Sequence, residues 1–234
     1  MIKKDLFAKA LYDYWHQRHP EDLLTWTNLT SKEVLHVSYL FRDFDQMPET
    51  EQLALSLANG SILDVGAGSG IHTLYLQQQK KDVTALEISP LSCQLMKERG
   101  VKKVIQSDFF NFSGQKFHTI LFLMNGIGLV EKAVYTDRLF QKLDELLLPD
   151  GQAIVHSSDL KYLYKTASGY QIPKEGYYGD VRFFISYKNE VEEFDWTYID
   201  EETLDFFAVQ NGFVTQKLIE SEYGDFLMKV TRKK

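Results

Sequence analysis

Short apolar runs recur along this chain, each followed by a turn signal and then by apolar positions at helical spacing. The runs fall at 62–65, 83–86, 104–105, 119–124 and 152–159. Near-continuous apolar runs of this length suit strands buried on both faces of a parallel sheet. The helical patterns lie between them. One carries Leu74 and Leu76 into the polar Gln77-Gln78-Gln79-Lys80-Lys81. A second starts at Ser89-Pro90 and ends near Arg99-Gly100, and a third spans 135–148 with Leu139, Leu143, Leu146 and Leu147 on one face. Leu148-Pro149-Asp150-Gly151 reads as a turn before the fifth strand. The expected class is α/β, with a mostly parallel sheet and helices on both faces.

The two ends of the chain depart from that alternation. Before residue 59 the pattern reads as helical throughout. Leu6, Ala10, Leu11, Tyr14 and Trp15 share a face, Thr30-Ser31-Lys32-Glu33 offers a helix start, and Met47-Pro48-Glu49-Thr50-Glu51 opens another. A helical cap over 1–58 is therefore expected, with 59–234 as the main domain. Within 160–198 tyrosines crowd the chain, and 178–187 and 193–199 suit a strand pair turning at Lys188-Asn189-Glu190. Asp200 caps a further helix bearing Leu204, Phe207 and Ala208, and 213–220 with 226–231 suit an antiparallel pair closed by Tyr223-Gly224-Asp225.

Composition narrows the class. The 234 residues carry a net charge of −7, which argues against a broad nucleic-acid surface. No apolar run approaches the length of a membrane span, and the basic start Met1-Ile2-Lys3-Lys4 lacks the apolar core of a signal peptide. The single cysteine, Cys93, excludes an internal disulfide and sits among Leu91 and Leu95 as an expected buried thiol. A soluble cytoplasmic protein is the expectation. Metal-ligand spacings of the H-E-x-x-H or C-x-x-C kind are absent from the sequence, so no metal is expected.

The chemistry concentrates at Asp64-Val65-Gly66-Ala67-Gly68-Ser69-Gly70. Three alternating glycines after a strand let the backbone turn sharply and approach a ligand, and the following helix offers free N–H groups at its start. The next strand ends on Glu87, about 20 positions on, where nucleotide-binding sheets hold ribose hydroxyls. The spacing is G-x-G-x-G, with Ile71 where a dinucleotide fingerprint needs its third glycine. The turn is thus wrong for a pyrophosphate and points to a different ribose-bearing ligand.

D-x-G-x-G-x-G after a strand, with an acid ending the next one, resembles the class I S-adenosylmethionine (SAM)-dependent methyltransferases, over residues 59–234. The resemblance implies a Rossmann-like seven-stranded sheet finished by an antiparallel pair. It places the methionine part of SAM at Asp64, Gly66, Ala67, Gly68, Ser69 and Gly70, the ribose at Glu87, and the adenine between Ile88, Asp108 and Phe109. Asn125, at the end of the fourth strand, would lie next to the transferable methyl. The N-P-P-Y sequence that marks methylation of base and glutamine amino groups is absent from this position. The helical segment in front and the aromatic strand pair would wall the acceptor pocket, with Tyr14, Tyr39, Arg42, Tyr177, Tyr178 and Arg182 as candidate substrate contacts. Asp159 and His72 are the candidate bases.

Three functions compete on these residues. The first is SAM-dependent methylation of a small-molecule oxygen or nitrogen nucleophile. The second is a SAM-binding protein without transferase activity. The third is a nicotinamide-dependent oxidoreductase, which the glycine register and the final strand pair disfavour.

Overall fold

A computed structural model describes residues 4–233; Met1, Ile2 and Lys3 of the basic start, and Lys234, lie outside it. The chain opens with helix α1 (Leu6–Trp15), which buries Leu6, Ala8, Ala10 and Leu11. It continues not as helix but as strands β1 (Leu23–Thr27) and β2 (Glu33–Leu35), so the helical start expected at Thr30-Ser31-Lys32-Glu33 is absent. In Leu23-Leu24-Thr25-Trp26-Thr27 the β-branched threonines and the aromatic Trp26 suit a pleated, half-buried surface, and a distant strand supplies its partner. Helix α2 (Glu49–Leu57) then leads into the main domain.

There the alternation expected from the apolar runs is present: β3 (Ser61–Val65), α3 (Ile71–Gln78), β4 (Asp82–Glu87), α4 (Pro90–Glu98), β5 (Val104–Gln106), β6 (Phe117–Phe122), α5 (Thr136–Leu146) and β7 (Leu147–Ser158). Ser89 caps α4 by accepting the Ser92 N–H, and Pro90 stands where a missing N–H costs nothing. The predicted turn at 148–151 is an excursion inside β7. Leu147 pairs with Phe117 and Gln152 already pairs with Thr119, so the four residues between bulge from the ladder.

After β7 come the short pair β8 (Lys165–Thr166) and β9 (Gly169–Tyr170), then β10 (Asp180–Tyr187) and β11 (Glu190–Thr197), α6 (Glu201–Gln210), β12 (Phe213–Glu220) and β13 (Asp225–Arg232). Lys188 and Asn189, both at positive φ, form the two-residue turn of the β10–β11 hairpin. The hairpin does not stand alone. It joins β1 and β2 in a four-stranded antiparallel sheet of order β11-β10-β1-β2, so the N-terminal segment and the aromatic insertion are one structural unit.

The large sheet has the order β12-β13-β7-β6-β3-β4-β5, parallel from β7 to β5 and antiparallel at β13 and β12. Its main core packs Phe117, Phe122, Phe140 and Phe213 against Leu63, Leu86, Leu143 and Val155. Chain order reverses beside β3: β4 and β5 follow on one side, β6 and β7 on the other. Open α/β sheets bind ligands in the crevice at the carboxyl ends of strands at such a switch point, and Asp64 and Asn125 stand at the ends of the two strands that flank it.

Candidate functional site: a glycine cradle beside an acidic cleft

Gly66, Gly68 and Gly70 have φ of 70°, 56° and 82°. Each lies in the left-handed region that side chains resist. The turn is tied to β4 by the Gly66 N–H, which donates to the Leu86 carbonyl at 2.9 Å. A side chain at Gly70 would meet Met96 at 2.9 Å, whereas Gly66 faces open space and Gly68 has only the Phe7 ring of α1 and the Gly66 carbonyl nearby. The turn is therefore shut on its helix side and open on its crevice side.

The carboxylates around it have distinct environments. Asp64 is fully buried and accepts the Thr73 hydroxyl at 2.6 Å, so it anchors the start of α3; burial pushes its pKa up. Glu87 accepts the Ser89 N–H on Oε1 and the Gly68 N–H on Oε2, each at 2.9 Å. A carboxylate has about four lone-pair sites, so Glu87 retains acceptor capacity for a ligand hydroxyl. Burial raises the Glu87 pKa, and backbone N–H groups oppose that rise. Asp108 accepts the Phe110 N–H at 2.9 Å through Oδ1. These features fit the adenosyl and methionine parts of SAM: an open glycine cradle, a carboxylate with acceptor capacity left for a ribose hydroxyl, and an acid at the end of the third parallel strand. Ile88 is exposed beside Glu87.

Three of the expected cofactor contacts have their side chains engaged elsewhere. The Ser69 hydroxyl donates to the Leu40 carbonyl, and the Ser69 carbonyl accepts from Arg99. Phe109 is buried in the main core, edge-on to Phe110 and Phe122. Ala67 packs in a small core patch with Cys93 and Met96. Of these three, only the backbone remains on offer to a ligand.

Beyond the glycine turn lies a cleft of about 970 Å³. Its walls come from β1 (Thr25, Trp26, Thr27), the start of α2 (Glu49, Thr50, Glu51), the ends of β6 and β7 (Met124, Asn125, His156, Ser158), and the β12–β13 hairpin (Glu220, Ser221, Asp225). Tyr39, Phe183, Tyr162 and Tyr198 add aromatic surface, and burial lifts the Tyr198 phenol to about 12. The small sheet is fixed to this region through Trp196 of β11, which packs where a Cβ on Gly128 would stand. Only glycine admits the indole there.

The expected acceptor contacts divide. Tyr39 lines the cleft, as does Asn125, expected as a cofactor contact. Arg42 is buried and directs Nη2 to both oxygens of Glu51 at 2.5 Å and Nη1 to the Tyr39 carbonyl at 2.6 Å, so it meets a carboxylate of its own chain rather than a ligand's. His72 Nε2 donates to the same Glu51 at 2.7 Å, and the ring does not line the cleft. Burial works against the Glu51 charge, but the His72 hydrogen bond and the His72 and Arg42 charges hold its pKa below the usual range. Tyr14 packs on Phe41. Tyr177 donates to Asp200 and Tyr178 to Asp159, and burial raises both phenols. Asp159 also accepts the Lys161 N–H at 2.8 Å as a helix cap, which leaves it outside the cleft. Arg182 is exposed and pairs with Glu193 and Asp195. The sequence reading missed Glu51, Asp225 and the β1 residues as cleft walls. Only the acidic start of α2 and the His156–Asp159 strand end hinted at them.

No group of three or more His, Cys, Asp or Glu side chains suited to a metal ion occurs among the described residues. Among them, too, no helix is long and apolar enough to cross a membrane.

Known proteins place this geometry. A family model for the methyltransferase domain matches residues 62–151, the span from β3 to the bulge in β7. No curated protein sequence matches the chain. The chain is similar to a SAM-dependent methyltransferase from Bacteroides fragilis, solved with S-adenosyl-L-homocysteine (SAH): 40% identity over 99% of this chain and 96% of that one, with a TM-score of 0.91. The sugar N-methyltransferase KedS8 from a Streptoalloteichus species (16% identity, 83% and 88% covered, TM-score 0.54) and the amino pentose methyltransferase CalS10 from Micromonospora echinaspora (17%, 79% and 88%, 0.52) share the fold. The glycine cradle, the strand order and the 40% likeness to an SAH-bound enzyme converge on one cofactor, and the chain belongs to the SAM-dependent methyltransferases.

Proposed function

We propose that this methyltransferase acts on a small-molecule oxygen or nitrogen nucleophile, and that the preferred acceptor is the nitrogen of an amine-bearing, hydroxylated molecule. SAM supplies the electrophilic methyl group, so the protein's task is to bind, orient and neutralise the nucleophile. The observation that carries the reading is the charge of the cleft. Glu33, Glu49, Glu220, Glu222 and Asp225 line it beside Glu51, neither lysine nor arginine does, and among the described residues the cations behind it reach only Glu51, through Arg42, and Glu220, through Lys217. Such a wall draws in a cation and repels phosphate and carboxylate. Its volume suits a small molecule, and its acidic lining opposes a nucleic-acid strand. Thr25, Thr27, Thr30, Ser31 and Ser158 add hydroxyls that can bond a polyol.

An amine arrives protonated and transfers only after losing that proton. Methylation therefore rises with pH until the acceptor amine is neutral, with no base of unusual pKa required. The proteins of similar fold include a sugar N-methyltransferase and an amino pentose methyltransferase, which supports the same acceptor class. The test is SAH formation from SAM with a panel of amino sugars, matched sugars lacking the amine, phenols and carboxylic acids. Turnover confined to the amines, increasing toward alkaline pH, is the expected result. Turnover of phenols or carboxylic acids in preference to amines would refute the nitrogen reading.

A further inference from the structure

Met124 and Asn125, one residue beyond the end of β6, have φ of 52° and 57°. Two successive non-glycine residues in the left-handed region are strained, and such strain persists only where neighbours over-determine it. One neighbour is unusual. The Asn125 backbone N–H donates to Nδ1 of His156 at 2.9 Å, and His156 Nε2 lies 3.0 Å from Asp225 Oδ2. An imidazole nitrogen that accepts an amide proton carries none itself. His156 is therefore the neutral Nε2–H tautomer, donating to Asp225. Asp225 in turn accepts the Ser221 hydroxyl. The ring is only 8% exposed, and β7 runs between β6 and β13, so this one side chain reaches both neighbouring strands.

The turn also orients a side chain. The Ser158 hydroxyl donates to Asn125 Oδ1 at 3.0 Å, which leaves the Asn125 NH₂ group as the donor facing the cleft that Asn125, His156, Ser158, Ser221 and Asp225 all line. With both ring nitrogens engaged, His156 has no lone pair for an acceptor's proton. We infer that His156 is a positioning residue: from the middle strand it pins the left-handed Met124–Asn125 turn to the Ser221–Asp225 hairpin and so fixes Asn125 at the boundary of cofactor and acceptor. This rests on the reading that Asn125 faces the transferable methyl.

The two ring nitrogens can be tested apart. Asparagine at this position places an acceptor near Nδ1 and cannot reach Asp225; glutamine reaches toward Asp225 and abandons the Asn125 N–H. In wild type, long-range proton–nitrogen correlation spectra of the histidine rings should show a protonated Nε2 and a bare Nδ1 at His156. In H156Q, amide hydrogen exchange at Asn125 should quicken by about tenfold, the size of one lost hydrogen bond, and SAH should bind several-fold more weakly by calorimetry. H156N should restore the protection at Asn125 but, lacking the tie to Asp225, only part of the SAH affinity. A protonated Nδ1, or equal exchange at Asn125 in H156Q and H156N, overturns the proposal. So does unchanged SAH affinity in a folded variant that has lost the protection. Failure of wild type to bind SAH would instead strike the placement of the cofactor, and the ring spectra would still stand.

Discussion

Glu51→Gln is the most informative single change outside the cofactor cradle. Glu51 stands between Arg42 and His72, with side-chain exposures of 4%, 3% and 7%. Breaking a buried pair by removing one partner costs about 3–5 kcal/mol, because the remaining charge is left uncompensated. Arg42 has little to fall back on. Its Nη1 keeps the Tyr39 carbonyl, its Nη2 loses the charge of both carboxylate oxygens, and its Nε already lacks a partner. At roughly 2–4 °C per kcal/mol for a chain of this length, the melting temperature should fall by about 6–20 °C. A pH signature accompanies the loss. The Glu51 carboxylate is held below its ordinary pKa in the fold, so it contributes stability above the unfolded-state pKa and loses it as pH falls through the folded value. Wild type should therefore lose stability on acidification below about pH 4.3, and E51Q should lose less over the same interval. Thermal melts of wild type, E51Q and the double variant R42M/E51Q measure both effects. The double variant removes both charges, so it should recover part of the loss. A fall of under about 2 °C in E51Q, or no recovery in the double variant, would refute the reasoning that an uncompensated guanidinium dominates.

Other outcomes follow from single contacts. Asp64→Ala and Glu87→Ala should each abolish measurable SAH binding by calorimetry, the first by releasing Thr73 at the start of α3 and the second by removing the acceptor capacity left for a ribose hydroxyl; retained affinity in E87A would place the ribose elsewhere. Cys93 is 2% exposed and its thiol is pushed up to about 11 by burial and the nearby Glu87 charge. Its thiolate is scarce at neutral pH, so alkylation of the folded protein should be slow and become fast only on unfolding; rapid labelling without unfolding would contradict the packing. Gly128→Ala should displace the Trp196 indole, since the new Cβ would lie 2.1 Å from it. Overpacking of this kind costs about 1–3 kcal/mol, visible as a lower melting temperature and altered tryptophan emission.

The sequence exposes the cofactor half of this molecule far better than the acceptor half, for a reason of chain distance. Strand β3, the glycine turn and the start of α3 are contiguous. Glu87 follows within one βαβ unit, so apolar period, glycine spacing and a strand-ending acid are all read within a short window. Even there the side chains of two expected contacts are engaged by other parts of the fold. Ser69 turns to Leu40 and Phe109 turns into the core. The small sheet shows the same limit. The 178–199 hairpin is legible from its alternation and its Lys188-Asn189 turn, but β1 reads as part of a helical cap because its partner β10 lies about 160 residues away, as the Leu24–Ser186 register shows.

The cleft proposed for the acceptor is assembled almost wholly from such distant meetings, and that decides which residues sequence reasoning can find there. Tyr177, Tyr178 and Arg182 invite attention as clustered aromatic and basic side chains, yet each is satisfied within its own neighbourhood, by Asp200, Asp159 and the Glu193–Asp195 pair. Arg42 likewise looks like a free cation until the fold brings Glu51 against it. Polar residues that attract the eye in a sequence are those whose partners are hidden, and the fold spends most of them on one another. What remains for the acceptor is the imbalance: more carboxylates than cations at the cleft wall. That excess is a property of the folded surface rather than of any motif. The net charge of −7 announces it only faintly, because the same excess spread evenly over the surface would carry no preference for an amine.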